Sequence, residues 1–490
     1  MALRIYNSFT RKKQNFSPLN NNKVGLYVCG ITAYDRCHIG HARSAVVFDA
    51  IVRYLRFLGY DVTFVRNFTD IDDKIINRAR EEHITCTELA EREIKHFYED
   101  MDALNILRAD IEPKATEHIT DIISLVETLI KKGHAYVSGG DVLFSVKSFS
   151  RYGELSKRDI EQLRAGARVA VDGKKRDPMD FALWKAAKPD EPSWDSPWGK
   201  GRPGWHIECS AMSMKYLGET LDIHGGGLDL IFPHHENERA QSEAATGKEF
   251  VRFWMHNGFV TIEGEKMSKS LGNFTTIQDM LKSHHPEAIR LFLLSKHYRS
   301  PLDFSSKALN EAESALDRLY TTLSKASLLA EDAIKKQRPI STEAEQAQQN
   351  LKQLGDKIIK ALDDDFNTAQ ALGHLFEGVK DTNKIIQSAE AKSSALYRPI
   401  LQQACKDISK YAQILGLLNK DPQQFVYEKN LAALQDIGLS VEELELEIEK
   451  RNTARANKNW EKADQIRNDL ANKGILLEDG PKGTSWRIEQ

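Results

Sequence analysis

An alternation of apolar and amphipathic stretches near the start of the chain constrains its fold most strongly. Residues 24–28 form a short apolar run typical of a buried strand, residues 41–58 carry apolar side chains at helical spacing, and residues 61–65 form a second apolar run. A strand, a helix and a strand in this order pack as a βαβ unit, which implies a parallel sheet with a right-handed crossover. We therefore predict an α/β domain built around a parallel sheet.

The junction between the first strand and the helix carries the segment His38-Ile39-Gly40-His41. The unpaired N–H groups and the positive dipole of a helix N-terminus favour anionic oxygens. Gly40 has no Cβ, so a nucleotide can approach the backbone closely there. The junction is therefore predicted to bind phosphate, although a four-residue segment with two histidines also occurs by chance.

A second charged segment, Lys266-Met267-Ser268-Lys269-Ser270, lies in a Gly- and Ser-bearing stretch, residues 263–273, which we expect to be mobile. If the reaction attacks the α-phosphate of ATP, dense negative charge develops there and on the departing pyrophosphate. Lys266 and Lys269 are suited to stabilise that charge. The alternative is an ordinary solvated surface loop.

Composition restricts the class of protein. At 490 residues the chain is too long for one core, and about three domains are expected. No apolar run reaches the ~18 residues of a membrane span, and residues 1–13 are not followed by the apolar stretch of a secretory signal. Five scattered cysteines fit a reducing compartment, so we expect a cytoplasmic enzyme without a membrane partner. The net charge of −3 argues against binding nucleic acid through overall positive charge, although local patches can bind phosphates.

The middle of the chain is expected to interrupt the sheet and then to resume it. Residues 70–132 are mainly helical in pattern, including residues 119–130. Residues 174–204 combine prolines with tryptophans, which favours an irregular insertion packed by its own side chains. The sheet is expected to resume near residues 221–224, and a helix is predicted over residues 287–294.

The C-terminal part is predicted to be mainly helical. Residues 306–418 have long helical patterns with few prolines, typical of a bundle, and residues 308–319 and 358–375 carry apolar residues at helical spacing. The remaining predicted elements are an acidic helix at 441–449, a basic helix at 451–470 and a strand-like end at 474–487.

A metal site is indicated by His234 and Glu238, which lie four residues apart and share one face if they are helical. Two ligands do not complete a site. Thiolates are common zinc ligands, and the spacing leaves Cys29 and Cys37 as equal candidates to join Cys209. For each cysteine the alternative is a small core residue.

The predicted basic helix carries four cations on one face: Arg451, Arg455, Lys458 and Lys462. Trp460 and Trp486 lie nearby in the sequence and are suited to stack on unpaired bases. Glu461 and Asp464 moderate the charge of this helix, so an anticodon reader and a solvated helix face both fit the pattern.

Together, residues 38–41 and 266–270 resemble the HIGH and KMSKS signatures of class I aminoacyl-tRNA synthetases, without a departure from either pattern. The resemblance extends over nearly the whole chain. Segments that look like those of the cysteinyl-tRNA synthetase family are residues 27–32, 202–210, 222–227, 232–238, 366–372 and 477–486.

This resemblance implies a domain organisation and a set of partners. Residues 1–305 would form a Rossmann-like parallel-sheet catalytic domain with an acceptor-end segment inserted at about 110–205. Residues 306–420 would form a helical bundle that binds tRNA, and residues 421–490 a small α/β domain that recognises the anticodon. The implied partners are tRNA(Cys), L-cysteine and ATP, with Mg²⁺ arriving on ATP, and a monomer is expected.

The resemblance also implies roles for single residues, and it decides between the candidate cysteines. The positions that match the family's single zinc site are Cys29, Cys209, His234 and Glu238. The implied catalytic and phosphate-binding residues are His38, His41, Lys266 and Lys269, with Gly40 and Asp229 as further ATP contacts. The implied cysteine-binding residues are Gly30, Thr69 and Trp205, of which Thr69 and Trp205 would be walls or hydrogen-bond partners of the substrate, and ordinary packing is the alternative for Trp205.

Other polar residues near these motifs are interpreted as structural. Asp70, Asp72 and Asp73 could be mistaken for a magnesium site, but carboxylates at the start of a helix stabilise its N-terminus. His224 is a candidate for a place behind the metal ligands, without an assigned role. Residues 225–227 are three glycines, which alone predict no more than a turn.

The predicted activity is ATP-dependent activation of cysteine, followed by its transfer to tRNA. Zinc would contribute selectivity because it binds a thiol more strongly than a hydroxyl, whereas shape alone rejects serine by only about 10²-fold. One alternative is a ligase that passes activated cysteine to an amino sugar, as in mycothiol-pathway relatives. Another is a zinc-stabilised RNA-binding module without catalysis. The long extension beyond residue 305 favours tRNA.

Overall fold

The structure is a computed structural model that describes residues 2–159, 173–262, 265–266, 275–331, 336–480 and 483–488. The chain divides into two compact units, each made of segments that are separate in the sequence. The first contains Met1–Leu316, Gln349–Lys380 and Lys406–Leu417, and the second contains Asp317–Gln348, Asp381–Cys405 and Leu418–Gln490. Among the described residues, every helix is too short or too polar to traverse a lipid bilayer.

The strands of the described residues are, in chain order, β1 (Arg4–Asn7), β2 (Lys12–Asn15), β3 (Lys23–Thr32), β4 (Asp61–Thr69), β5 (Ala135–Ser138), β6 (Asp141–Phe144), β7 (Phe181–Ala186), β8 (Gly201–Pro203), β9 (Leu221–Gly227), β10 (Val251–Asn257), β11 (Val260–Ile262), β12 (Glu265–Lys266), β13 (Leu302–Phe304), β14 (Ile475–Gly480) and β15 (Gly483–Ile488).

The α-helices of the same residues are α1 (Ile39–Phe57), α2 (Asp73–Glu82), α3 (Cys86–Ala103), α4 (Ile119–Lys131), α5 (Trp205–Leu217), α6 (His234–Thr246), α7 (Ile277–Leu281), α8 (Pro286–Leu294), α9 (Ser306–Glu331), α10 (Thr342–Lys352), α11 (Leu354–Asp363), α12 (Thr368–Lys392), α13 (Arg398–Ile414), α14 (Pro422–Asp436), α15 (Val441–Ala456) and α16 (Trp460–Asn472).

The first unit is organised around a four-stranded sheet in the order β10-β9-β3-β4, in which every neighbouring pair is parallel. The predicted βαβ unit is confirmed as β3, α1 and β4. Leu26, Tyr27 and Val28 are all buried, as expected for a parallel strand covered on both faces. Because β3 pairs with β4 on one side and with β9 on the other, the connections diverge beside β3. Ligands of such sheets bind at the carboxyl ends of the strands at this kind of position.

The segment between β4 and β9 contains a second sheet, antiparallel and in the order β5-β6-β7-β8. The expectation of irregular structure over residues 174–204 is wrong for β7 and β8. The reason is that Trp184 is fully buried within β7, where it packs in one core with α4 and α6. The aromatic side chains of this segment are therefore packed as predicted, but from regular strands.

The helical pattern over residues 358–375 is divided between two helices, because α11 ends at Asp363 and α12 begins at Thr368. Asp365 and Phe366 both have positive φ, at 67° and 50°. This turn buries the carboxylate of Asp365, which accepts hydrogen bonds from the Tyr6 N–H, the Tyr298 hydroxyl and the Arg299 guanidinium. Long-range partners therefore override the local helical spacing.

The predicted basic helix over residues 451–470 is also wrong. Its first half continues α15, and its second half is α16. Lys458 adopts a left-handed conformation with φ 57°, and the side chain of Asn459 caps α16 by accepting the Lys462 N–H. The four cations therefore do not share one helical face. The strand-like end is confirmed as the hairpin β14–β15, which shares an apolar core with α15 and α16.

Candidate active site and metal centre

A cleft of about 460 Å³ lies at the carboxyl ends of β3 and β9, beside the N-terminus of α1. This is the position that the sheet topology favours for a ligand. Several residues implicated by the sequence line this one cleft, namely Cys29, Gly30, His38, Gly40, His41, Trp205 and Asp229. The structure therefore brings together a histidine-rich helix start and one face of the candidate metal centre.

His38 and His41 cap the helix that they begin. The His38 Nδ1 accepts the Gly40 N–H at 3.0 Å, and the His41 Nδ1 accepts the His38 N–H at 3.2 Å. The two rings stack with their centroids 3.8 Å apart. Because each Nδ1 accepts a hydrogen bond, each neutral ring carries its proton on Nε2. The Gly40 N–H therefore already has an acceptor, the His38 Nδ1, and is not free for the phosphate contact that the sequence predicts for it.

Four side chains from three elements converge at the candidate metal centre. Cys29 lies on β3 and Cys209 on α5, whereas His234 and Glu238 lie one turn apart on α6, as predicted. The Cys29 Sγ lies 3.9 Å from the Cys209 Sγ and 3.5 Å from the Glu238 Oε1, and the His234 Nε2 lies 3.0 Å from the same Oε1. All four ligand atoms lie within 4.8 Å of one another.

These separations suit a tetrahedral ion. Metal–ligand bonds of ~2.0–2.3 Å at tetrahedral angles place zinc ligands roughly 3.3–3.8 Å apart. Two sulfurs, one imidazole and one carboxylate are also donors that zinc accepts. Cys37, the rival of Cys29 at the level of spacing, belongs to neither of the two candidate ligand groups found among the described residues.

Electrostatics within this group favour a cation. A hydrogen bond from Cys29 lowers the pKa of the Cys209 thiol to about 6, whereas burial, together with Cys209, raises the pKa of Cys29. Burial alone would lower the pKa of His234, but Glu238 and Cys209 raise it to about 10. The cluster therefore has excess negative charge, and it is compensated here by protons on Cys29 and His234.

A second group of ligand atoms shares two residues with the first and adds His224 and His235. The His224 Nε2 lies 2.8 Å from the Glu238 Oε2, and the His235 Nε2 lies 3.4 Å from the Cys29 Sγ. The sequence left His224 without a role and did not single out His235. His235 adjoins His234 on α6, so its side chain points to a different face, and its partners can be identified only in the tertiary structure.

The predicted cysteine-pocket residues have different surroundings. A Cβ on Gly30 would come within 1.6 Å of the Asn67 carbonyl oxygen, so only glycine fits this position. The Trp205 indole, 36% exposed, stacks on the His234 imidazole with ring centroids 4.2 Å apart and an interplanar angle of 27°. Thr69 is buried, and its hydroxyl donates to the Glu208 carboxylate at 2.9 Å. Thr69 is outside the set of described residues that line the cleft.

The remaining predicted ATP residues are only partly described. Asp229 lies in a short 3₁₀-helix, Leu228–Ile231, that follows β9, and a Cβ on Gly227 would come within 2.5 Å of its carboxylate. The glycine therefore makes room for Asp229 at the cleft. Lys266 contributes backbone pairing to β12, and Lys269 lies outside the described residues.

The three aspartates after β4 have structural partners, as interpreted from the sequence. Asp72 caps α2 by accepting the Lys74 N–H, and Asp70 accepts the N–H and the hydroxyl of Thr116. Asp73 pairs with Lys185 at 2.6 Å and also with Arg202. These contacts connect α2 to the antiparallel sheet.

Three family models match the chain in succession. They are the class I (C) tRNA synthetase catalytic domain over residues 15–314, the DALR domain over residues 357–419, and the cysteinyl-tRNA ligase anticodon binding domain over residues 447–487. The first model alone covers more than half of the chain. Curated relatives match over the full length as well.

A cysteine--tRNA ligase of Maridesulfovibrio salexigens is 55% identical over 487 residues, which cover 99% of this chain and 100% of the relative. One from Thermodesulfovibrio yellowstonii is 53% identical over 491 residues, with 99% and 100% covered. The solved Mycobacterium tuberculosis methionyl-tRNA synthetase in complex with methionyl-adenylate shares the fold, with a TM-score of 0.59 and 16% identity over 86% of this chain and 94% of that one. The chain therefore belongs to the cysteine--tRNA ligase family of class I tRNA synthetases.

Proposed function

We propose that this chain carries out the reaction of its family on L-cysteine, ATP and tRNA(Cys). The cysteine carboxylate attacks the α-phosphate of ATP, giving cysteinyl-adenylate and pyrophosphate, and the terminal adenosine of the tRNA then accepts the cysteinyl group. The observation that carries the proposal is that Cys29 of the candidate metal centre and the stacked imidazoles of His38 and His41 line the same cleft.

The residues proposed to hold zinc are Cys29, Cys209, His234 and Glu238, and their spacing and donor types fit the ion. When bound, zinc supplies a soft coordination position that favours the thiol of cysteine over the hydroxyl of serine. Gly30 and Trp205 are proposed to form the walls that orient the substrate beside this position. Thr69 is proposed to support the cysteine pocket indirectly, because its hydroxyl already donates a hydrogen bond to the Glu208 carboxylate.

His38 and His41 are proposed to donate their Nε2–H groups to the phosphate oxygens of ATP. Their positions are fixed by backbone hydrogen bonds to Nδ1, so little reorganisation is needed as charge develops. Lys266 and Lys269 are proposed to add positive charge to the leaving pyrophosphate, and Mg²⁺ arrives with ATP. The carboxylate of Asp229 is suited to accept hydrogen bonds from the ribose hydroxyls.

The tRNA-binding roles of residues 306–420 and 421–490 are proposed on the basis of the DALR and anticodon-domain matches. The same matches favour tRNA over an amino sugar as the cysteine acceptor. The catalytic-domain match favours an enzyme over an RNA-binding module. The cytoplasmic location and the monomeric state expected from the sequence stay predictions.

The test is ATP–pyrophosphate exchange by the purified full chain, followed by charging of tRNA(Cys). Exchange must depend on cysteine and must be much weaker with serine, and Lys269→Ala must reduce it by a large factor. Charging of an amino sugar but not of tRNA would overturn the proposal in favour of the alternative ligase. Absence of exchange with any amino acid would overturn it in favour of a binding module.

The zinc assignment is tested by metal analysis of matched cysteine variants. Cys209→Ala and Cys29→Ala are expected to lose the metal. Cys405→Ala, in the second unit, and Cys37→Ala, beside the cleft, are expected to keep one zinc per chain. Loss of the metal in Cys37→Ala together with its retention in Cys29→Ala would overturn the ligand set.

A further inference from the structure

Two buried histidines and a serine behind the candidate metal centre have no part in the proposed mechanism. The His235 Nδ1 lies 2.8 Å from the His256 Nε2, and the His256 Nδ1 lies 2.8 Å from the Ser8 Oγ. At the other end, the His235 Nε2 lies 3.4 Å from the Cys29 Sγ. Cys29, His235, His256 and Ser8 thus form a continuous row, which we call the histidine relay.

Besides Cys29 on β3, three other parts of the chain supply the members of the histidine relay. Ser8 follows β1, His256 lies on β10, and His235 lies on α6. Ser8 is fixed to β10 by its N–H, which donates to the Trp254 carbonyl at 2.9 Å. Both imidazoles are buried, with 0% exposure for His235 and 2% for His256, so water does not compete for their hydrogen bonds.

The direction of every hydrogen bond in the relay follows from the Cys29 end. As a ligand of the proposed zinc, Cys29 would be a thiolate, which can only accept a hydrogen bond, so a neutral His235 would donate from Nε2 and accept at Nδ1. His256 must then donate from Nε2 and accept at Nδ1, and the Ser8 hydroxyl supplies the last donor. Each group of the relay then has one consistent role as donor or acceptor.

Hydrogen bonds donated toward Cys29 would stabilise the excess negative charge of the proposed zinc ligands. Two thiolates and one carboxylate would carry three negative charges against the two positive charges of zinc. Donors behind the ligands stabilise such excess charge and tune how strongly each ligand binds. The His224 Nε2 lies 2.8 Å from the Glu238 Oε2 and stabilises that ligand in this way. A hydrogen bond from His235 to Cys29 would do the same for a second ligand.

We propose that His235 is a positioning residue that donates a hydrogen bond to the Cys29 thiolate, and that His256 and Ser8 fix the tautomer in which it does so. The proposal rests on the zinc set proposed above. It assigns His235 to the surroundings of the ion rather than to its ligands, although His235 belongs to the second group of ligand atoms.

The test replaces the zinc of the full chain by Co²⁺ and measures two quantities that do not depend on catalysis. These are the dissociation constant of Co²⁺ in competition with a chelator and the energy of the thiolate-to-cobalt charge-transfer band. His256→Leu is expected to weaken metal binding by about 10-fold and to shift the band to lower energy, because the thiolate loses its donor. His256→Gln keeps an N–H near the Nε2 position and is expected to restore both values.

A control and a second variant keep the outcome decisive. His118→Leu removes another buried histidine, bonded to Tyr216 at 2.9 Å, and is expected to leave the cobalt spectrum unchanged. If His256→Leu does not fold, Ser8→Ala decides, since it removes only the outermost hydroxyl and is expected to shift the band in the same direction by a smaller amount.

Two results would overturn the relay. One is an unchanged band and an unchanged dissociation constant in His256→Leu or, failing that, in Ser8→Ala. The other is X-ray absorption showing two imidazoles and one sulfur on the metal, because His235 would then be a ligand. Failure of the zinc set itself would look different, since Cys209→Ala would bind cobalt as tightly as the unaltered chain.

Discussion

Arg451 and Asp479 face each other through two parallel hydrogen bonds, with Nη1–Oδ1 at 2.8 Å and Nη2–Oδ2 at 2.7 Å. Arg455 adds a third at 2.6 Å to Oδ2. Arg451 and Arg455, which the sequence grouped with two lysines as one nucleic-acid-binding face, are therefore both paired with Asp479 of the β14–β15 hairpin. Arg451→Gln is expected to lower the free energy of unfolding of the second unit by about 1 kcal/mol, because Asp479 is partly exposed and solvent screens the pair. Urea unfolding of the full chain measures this, and a loss under 0.2 kcal/mol would contradict it.

Substitution of the exposed residues around Asn459 is expected to affect tRNA binding and not stability. Trp460 is 59% exposed, and Lys458 and Lys462 are exposed beside it. Lys462→Gln is expected to leave stability unchanged and to reduce by about one the slope of log affinity for tRNA(Cys) against log salt. Filter binding over a salt series checks this. An unchanged slope would remove Lys462 from the tRNA contact.

The two roles of His38 are expected to separate by mutation. Asparagine caps helices well, so His38→Asn keeps an acceptor for the Gly40 N–H but loses the imidazole Nε2–H. Cysteine-dependent exchange is expected to fall by about 10²-fold, with an unchanged unfolding midpoint. His38→Ala is expected to lose about 1 kcal/mol of stability as well. Full exchange activity in His38→Asn would show that the histidine only caps α1.

The buried carboxylate of Asp49 predicts a pH dependence of stability. Burial alone would raise its pKa, but Arg290 and Arg53 hold it below its usual value. A carboxyl group whose folded pKa is depressed contributes stability above its unfolded pKa of about 3.9 and loses it as the pH falls further. The difference in unfolding free energy between the unaltered chain and Asp49→Asn is therefore expected to be constant above about pH 5 and to shrink below about pH 4.

Urea unfolding at several pH values measures that difference. Asp121→Asn is the matched control, because Asp121 pairs with Lys215 at 2.7 Å but is 36% exposed, so its effect is expected to be small at every pH. A difference for Asp49→Asn that stays constant down to pH 3 would contradict the prediction.

The stacking of Trp205 on His234 predicts a selective effect on cysteine. Trp205→Ala removes a ring contact of about 0.5–1.5 kcal/mol beside the candidate metal centre. The KM for cysteine is expected to rise by roughly 2–10-fold in this variant. The rise is expected to be smaller in Trp205→Phe, which keeps an aromatic ring. Exchange assays with varied cysteine and varied ATP check this, since an equal rise in both KM values would contradict a specific role.

Local periodicity was enough to predict elements whose contacts are close in sequence. The βαβ unit and the pairing of His234 with Glu238 on one helix are of this kind. The single helix predicted over residues 451–470 was wrong, and the helical pattern over residues 358–375 is interrupted, because Asn459 and Asp365 gain hydrogen bonds where a helix starts or has ended. The histidine relay was not predictable at all, since its four members come from four separate parts of the chain.

The segmented composition of the first unit restricts how it can form during synthesis. The Tyr54 hydroxyl on α1 donates to Asp363 at 2.7 Å, and the Arg290 guanidinium donates to the Leu415 carbonyl at 2.6 Å. Such partners emerge from the ribosome long after the parallel sheet does. The unit therefore closes only when the chain up to Leu417 has been translated. In a fragment cut at residue 316, the Tyr54 hydroxyl and the Arg290 Nε would lose these acceptors, so a single cut does not reproduce the packed first unit.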